Sequence, residues 1–218
     1  IKEVPFNQLI PGKTYMFFSH TIKMQPYNRD LLRSILKNHI RLIDFELLTD
    51  ENGKRLIGFG YFAGIVGAHY GLKMYGHKTD SYHLPAAHEL ANYDDLKQHY
   101  QRIAFPPVKV IIAGKGKVAS GARQVLSDAG FQETSPETFR LPHEQPVFTQ
   151  LGLKDLYARK DGQPFDREAF KANPHLFTSR FLEFAPYADL LINAVYWDSD
   201  IPRHFEPEDT QRANFRIQ

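Results

Sequence analysis

Apolar positions along the chain change their period several times, and each change marks an element. Residues 14–18 form a short apolar run that predicts a buried strand. In residues 28–39, Leu31, Leu32, Ile35 and Leu36 recur at helical spacing, which predicts an amphipathic helix. Residues 40–48 read as a second strand, with Ile43, Phe45 and Leu47 on one face and Asp44 and Glu46 on the other. Asp50-Glu51-Asn52-Gly53 is a turn signal. The uncharged stretch 56–68 follows, and Gly60, Gly64, Gly67 and Gly71 fall three or four apart across and beyond it. If helical, it presents a small-residue face for close packing. Residues 88–104 predict a further helix, with Leu90, Tyr93, Leu96, Tyr100 and Ile103 on one side.

The second half opens on the most specific pattern. The run from Val108 to Ala113 feeds directly into Gly114-x-Gly116-x-x-Ala119, and a helical stripe of Val118, Ala122, Val125 and Leu126 follows, with Gly130 as its stop. This is the form of a dinucleotide-binding turn. Glycine at 114 permits the tight turn out of the strand, glycine at 116 lets backbone approach a pyrophosphate, and a small residue at 119 lets helix and strand pack closely. The phosphates would meet free N–H groups at the helix start. Residues 131–134 fit a second parallel strand, and residues 189–196 are the near-continuous apolar run of a buried parallel strand. Between them, residues 135–186 contain Pro136, Pro142, Pro146, Pro164 and Pro174 and read as a helical excursion with irregular loops. Pro106-Pro107 is the expected boundary, dividing the chain into domains 1–106 and 107–218.

Composition narrows the function. A net charge of +2 with scattered Lys and Arg gives no electrostatic footprint for nucleic acid. Without cysteine there is no disulfide framework, thiolate zinc site or cysteine nucleophile, which fits a reducing compartment, and the cytoplasm is the default expectation. The 56–68 stretch is too short to cross a bilayer, so no membrane role is expected. The chain starts at Ile1 and stops at Gln218 inside an unfinished α/β pattern, so we expect it to be a piece of a longer polypeptide. His69, His77, His83 and His88 match no familiar ligand spacing, and no metal site is expected. The aromatic excess, 17 Phe and 11 Tyr, reads as core and interface, with a homo-oligomer left open. Ser19-His20 and the Ser81/His83 pair lack a nucleophile-elbow context. His20, closing the first strand, stands where α/β sheets place catalytic groups, although most such histidines are structural. A half-exposed strand explains Asp44 and Glu46 equally well, and Lys2 alone would read as a solvated lysine near a terminus.

Taken together these segments resemble the saccharopine dehydrogenase and lysine-ketoglutarate reductase branch of the alanine dehydrogenase and transhydrogenase superfamily. The matching residues are IKEVP at 1–5, FFSHTIKMQ at 17–25, RLIDFELL at 41–48, GFGYFAGIVGA at 58–68, GKGKVASGA at 114–122 and SRFLEFAPYADLLINAVYWDSDIPR at 179–203. The resemblance implies an α/β fold of two Rossmann-like domains with parallel sheets, each cut short here. An N-terminal substrate and catalytic domain would precede an NAD(P)-binding domain. It implies Lys2 and His20 as the acid–base pair, and Glu3, Lys23 and Glu46 as the ionic network that holds substrate carboxylates. The implied reaction joins a lysine-like amino acid to a 2-oxoglutarate-like oxo acid and reduces the imine in the cleft between domains.

For the coenzyme the expected contacts are Gly114, Gly116, Lys117, Val118 and Ala119, with Ser135 and Asn193. Glu133 lies near the spacing of an acid that binds the ribose 2′-hydroxyl of NAD. The resemblance instead puts Ser135 at the strand tip, where a hydroxyl could meet a 2′-phosphate, and the choice leans to NADP over NAD. Two other readings stay open: an alanine dehydrogenase-like amino-acid dehydrogenase, and a non-catalytic NAD(P)-binding regulatory module.

Overall fold

A computed structural model describes residues 4–196 and 198–217. The chain divides into two compact units between Phe59 and Gly60. In the first, strand β1 (Thr14–Phe17), helix α1 (Arg29–Lys37) and strand β2 (Arg41–Asp44) form a βαβ unit whose two strands pair in parallel. Leu9, Phe17 and Ile35 make its small core, with Leu31 and Leu42 packed against them. The expected strand 40–48 is shorter than its apolar pattern. It ends at Asp44, whose side chain accepts from the backbone N–H of Glu46 and turns residues Phe45–Leu47 into a 3₁₀ turn. Glu46 therefore sits on a turn, and Asp44 is buried rather than half exposed.

The second unit starts with α2 (Gly60–Thr79) and α3 (Tyr93–Gln101) and continues into β3 (Lys109–Ala113), α4 (Lys117–Asp128), β4 (Gln132–Glu133) and α5 (Pro136–Phe139). Then come β5 (Val147–Leu151), α6 (Leu153–Leu156), the antiparallel pair β6 (Tyr157–Arg159) and β7 (Phe177–Ser179) with α7 (Arg167–Ala172) between them, and β8 (Leu190–Asn193). The main sheet is parallel, in the order β4-β5-β3-β8. Every residue of β3 is buried. Val110 and Ile112 face a core shared with α2, α3 and α4, and Ile111 and Ala113 face a second core built from Phe139, Leu156, Tyr157, Phe170, Phe177 and Phe181. A parallel sheet covered on both faces is the Rossmann-like arrangement.

Two expectations change here. Pro106-Pro107 lies inside the second unit, because Ile65, Ala68, Leu72, Leu96 and Tyr100 upstream of it share one core with Val110 and Ile112. The 135–186 stretch is more than a helical excursion, since it supplies β5, the strand hydrogen-bonded to β3 along its length. The five-residue run Val147–Leu151, fenced by Pro146 and Gly152, was hidden among prolines.

The glycine-rich stretch is helical, and its small residues set the approach of α2 to α4. A Cβ at Gly64 would collide with the Val118 carbonyl, and one at Gly121 with the Tyr61 carbonyl. Gly71 packs on Leu190, whereas Gly67 points away from these contacts. His69 is buried in α2 with Nδ1 at 3.0 Å from the Tyr100 hydroxyl and Nε2 at 3.0 Å from the Pro85 carbonyl. Both ring nitrogens are used structurally. Among the described residues, no helix is long and apolar enough to cross a membrane.

Candidate active site

The glycine turn joins β3 to α4 at the carboxyl end of the sheet. Gly114 has φ +112°, and a Cβ there would also press on the Ala194 carbonyl, so both conformation and space exclude a side chain. Its N–H donates to the Leu151 carbonyl at 2.8 Å, and its carbonyl accepts from Gln150 Nε2 at 2.9 Å, which ties the turn to the tip of β5. A Cβ at Gly116 would meet nothing within 4 Å. That is the open cradle a pyrophosphate requires, directly before the first turn of α4. Ala119 is fully buried under the turn, as close helix–strand packing demands. Lys117 and Val118 open the helix, and Asn193 pairs in register with Ala113 at the end of β8. Gly114, Gly116, Lys117, Val118, Ala119 and Asn193 therefore come together, and the residues present fit a bound dinucleotide.

Ser135 does not join them. β4 is hydrogen-bonded to β5 and not to β3, so Ser135 follows an edge strand two positions from the turn, roughly 10 Å away at ordinary strand spacing. Its hydroxyl caps α5 by accepting from Thr138 N–H at 3.2 Å. Glu133 is on the same edge strand, bound by Arg123 at 2.6 and 2.8 Å. Spacing from the first glycine pointed to β4, but the fold inserts β5 between.

In the first unit, His20 lies three residues beyond β1, in the left-handed region at φ 54°. Phe18 beside it packs on Phe45 and Phe59, with ring centroids 5.7 and 5.1 Å apart. The buried Ser19 hydroxyl makes a short hydrogen bond to Asp44 and accepts from Thr21 N–H at 3.1 Å. Asp44 thus fastens both the His20 loop and the Glu46 turn. Glu46, its side chain 9% exposed, collects three basic groups: His20 Nδ1 at 3.0 Å, Lys23 Nζ at 3.0 Å and Arg55 at 2.7 Å. Burial pushes the Glu46 carboxyl upward. The hydrogen bonds from Lys23 and His20, the Lys23 charge and the Arg55 hydrogen bond outweigh that and leave it below the usual carboxylate value.

An ionised carboxylate only accepts, so Nδ1 of His20 carries the hydrogen toward Glu46. Lys23 Nζ, 3.2 Å from the same nitrogen, is then a neighbouring charge rather than a second donor to it. Nε2 makes no hydrogen bond among the described residues and is the nitrogen able to take or give a proton. The structure thus unites His20, Lys23 and Glu46 as expected, while Lys2 and Glu3 lie outside the described residues. Sequence spacing gives Ser19 and Asp44 no role in this cluster and does not single out Arg55. Arg55 stands two residues past a predicted turn that folds it back toward the preceding strand.

No protein-family model matches the chain. Among curated proteins it is 32% identical to the mitochondrial alpha-aminoadipic semialdehyde synthase of Mus musculus, over 97% of this chain and 25% of that protein. It is 33% identical to the saccharopine dehydrogenase [NAD(+), L-lysine-forming] of Candida glabrata, over 76% of this chain and 50% of that protein. A solved L-alanine dehydrogenase aligns with a TM-score of 0.45 and 14% identity, over 89% of this chain and 45% of that one. The chain spans a quarter of the length of the first relative and half that of the second. It is a homologue of the alpha-aminoadipic semialdehyde synthases and saccharopine dehydrogenases, the branch that its motifs resemble.

Proposed function

We propose that this chain carries the coenzyme turn and the proton-transfer cluster of an NAD(P)H-dependent oxidoreductase that condenses lysine with 2-oxoglutarate and reduces the resulting imine. The observation that carries this reading is the single carboxylate of Glu46 holding His20, Lys23 and Arg55. Lysine is suggested by the name of the Candida glabrata relative, and the 2-oxo acid by the resemblance alone.

The chemistry requires what the cluster offers. A neutral amine attacks the oxo carbon, and a base must take the proton released from nitrogen. An acid must then protonate the carbinolamine oxygen so that it leaves as water, giving an iminium ion. Nε2 of His20 suits both transfers, because Glu46 on Nδ1 fixes the tautomer and steadies the imidazolium between them. The guanidinium of Arg55 and the ammonium of Lys23 are roughly half exposed and can bind substrate carboxylates while shared with Glu46. Lys2 and Glu3 complete the proposed set on the strength of the resemblance alone. The coenzyme, when bound on the glycine turn, supplies the hydride that reduces the iminium carbon.

The test is coenzyme oxidation followed at 340 nm, with lysine plus 2-oxoglutarate in one arm and pyruvate plus ammonia in the other. Turnover in the first arm alone is expected. Turnover in the second arm alone would make the protein an alanine dehydrogenase-like enzyme. Coenzyme binding with no turnover in either would make it a nucleotide-binding module.

A further inference from the structure

We propose that Lys115 and Gly152 set the coenzyme preference of the glycine turn, with the Lys115 ammonium receiving the 2′-phosphate of NADP(H). This rests on the dinucleotide reading of the turn and adds the choice between the two coenzymes. In dinucleotide folds the group beside the ribose 2′ position comes from the strand next to the one entering the glycine turn, and an acid there binds the 2′-hydroxyl of NAD.

β3 has β5 on one side and β8 on the other, and in the order β4-β5-β3-β8 it is β5 that takes the place of the second strand in the 3-2-1-4 order of this fold, pairing with β3 from Lys109↔Val147 to Ala113↔Leu151. Its tip is Leu151-Gly152, with no carboxylate. The next acid is Asp155, and its Oδ2 accepts from the Gly152 N–H at 2.8 Å, which commits it to the start of α6. Glu133 is held by Arg123 on the far side of β5. What reaches the tip is a cation. Cε and Cδ of Lys115 pass 3.0 and 3.3 Å from where a Cβ on residue 152 would stand, so the missing side chain at 152 makes room for the lysine stem. Lys115 is exposed and has no ion pair or hydrogen bond among the described residues. Asp155 Oδ2 stands 3.5 Å from the same point but is held by the Gly152 N–H and makes no ion pair with Lys115, so the ammonium keeps its charge free for a phosphate dianion in preference to a hydroxyl.

NADPH and NADH titrated separately into the 218-residue chain, followed by nucleotide fluorescence, decide the matter, with circular dichroism confirming that each variant is folded. NADPH should bind at least about tenfold more tightly, the worth of one charge-assisted contact. Lys115→Gln should cut that ratio about tenfold, by the same contact. Gly152→Asp should cut it independently by placing a carboxylate at the tip. Residue 152 sits at φ −86°, ψ 177°, which any residue adopts, and only a flexible lysine stem must move aside. Equal affinity for both nucleotides, or a preference that survives in the folded variants, overturns this assignment and leaves the turn a dinucleotide site. Binding of neither nucleotide to the folded chain overturns the dinucleotide reading and this inference with it.

Discussion

The glycine turn and the His20 cluster are built by opposite means. At the turn, side chains are missing where they would interfere: Gly114 because of its backbone and the Ala194 carbonyl, Gly64 and Gly121 because two helix backbones touch, and Gly116 where a side chain would enter the open space proposed for the coenzyme. The ligand would meet backbone N–H groups whose positions are fixed by a sheet buried on both faces. At His20 the side chains are the site. One carboxylate balances three bases, and a buried serine–aspartate pair holds the two loops that bring them together. The first kind of site fails when something is added, and the second when something is removed or its charge changes.

That contrast is tested most severely at the helix contact. Gly121→Val puts a branched side chain into the Tyr61 carbonyl and should cost on the order of 5 kcal/mol, enough to unfold much of the second unit. Urea titration measures it, and a midpoint near wild type would mean that α2 and α4 can separate freely. At the cluster, His20→Gln removes the proposed proton carrier and only a loose ring contact with Phe18. Turnover should fall by about two to four orders of magnitude, the usual worth of general acid–base assistance, with coenzyme affinity retained. A rate within a fewfold of wild type would return His20 to a structural role.

Gly116→Val should leave stability unchanged, since a Cβ there meets nothing, while lowering coenzyme affinity by about a hundredfold by filling the cradle. Calorimetry on the folded variant reads this, and unchanged affinity would reduce the turn to a loop. The smallest effect is electrostatic. Because the folded carboxyl of Glu46 titrates below its ordinary value, it stabilises the fold above the unfolded carboxylate range near pH 4 to 5, and that stability is lost as pH falls through the folded pKa. With Lys23 and Arg55 roughly half in water the contribution should be about 1 kcal/mol or less. In Glu46→Gln the acid limb of stability should flatten by that amount, as thermal unfolding between pH 3 and 6 would show.

The elements that were legible in sequence are those whose physics is local. The β3–turn–α4 unit was readable because strand period, glycine spacing and helix stripe are each written within about a dozen residues, and the structure places Gly114, Gly116 and Ala119 as that pattern requires. The α2 glycines were readable as a packing face for the same reason, and the family was readable from short segments spread through the chain. Ser135 shows where local reading stops. Counting from Gly114 finds the acid Glu133 at the expected distance and the resemblance puts Ser135 close by, but strand adjacency is decided by hydrogen bonds between residues far apart in sequence, and β5 takes the place assigned to β4. Asp44 and Arg55 show the same limit in the first unit. Whether a carboxylate faces water or fastens two loops, and whether an arginine dangles or closes an ionic cluster, depends on which distant backbone it meets. Sequence alone determined the kinds of chemistry present and the elements that carry them. Tertiary structure decided which strand borders the turn and which charges share Glu46, because long-range hydrogen bonding and burial select among partners that sequence spacing leaves equivalent.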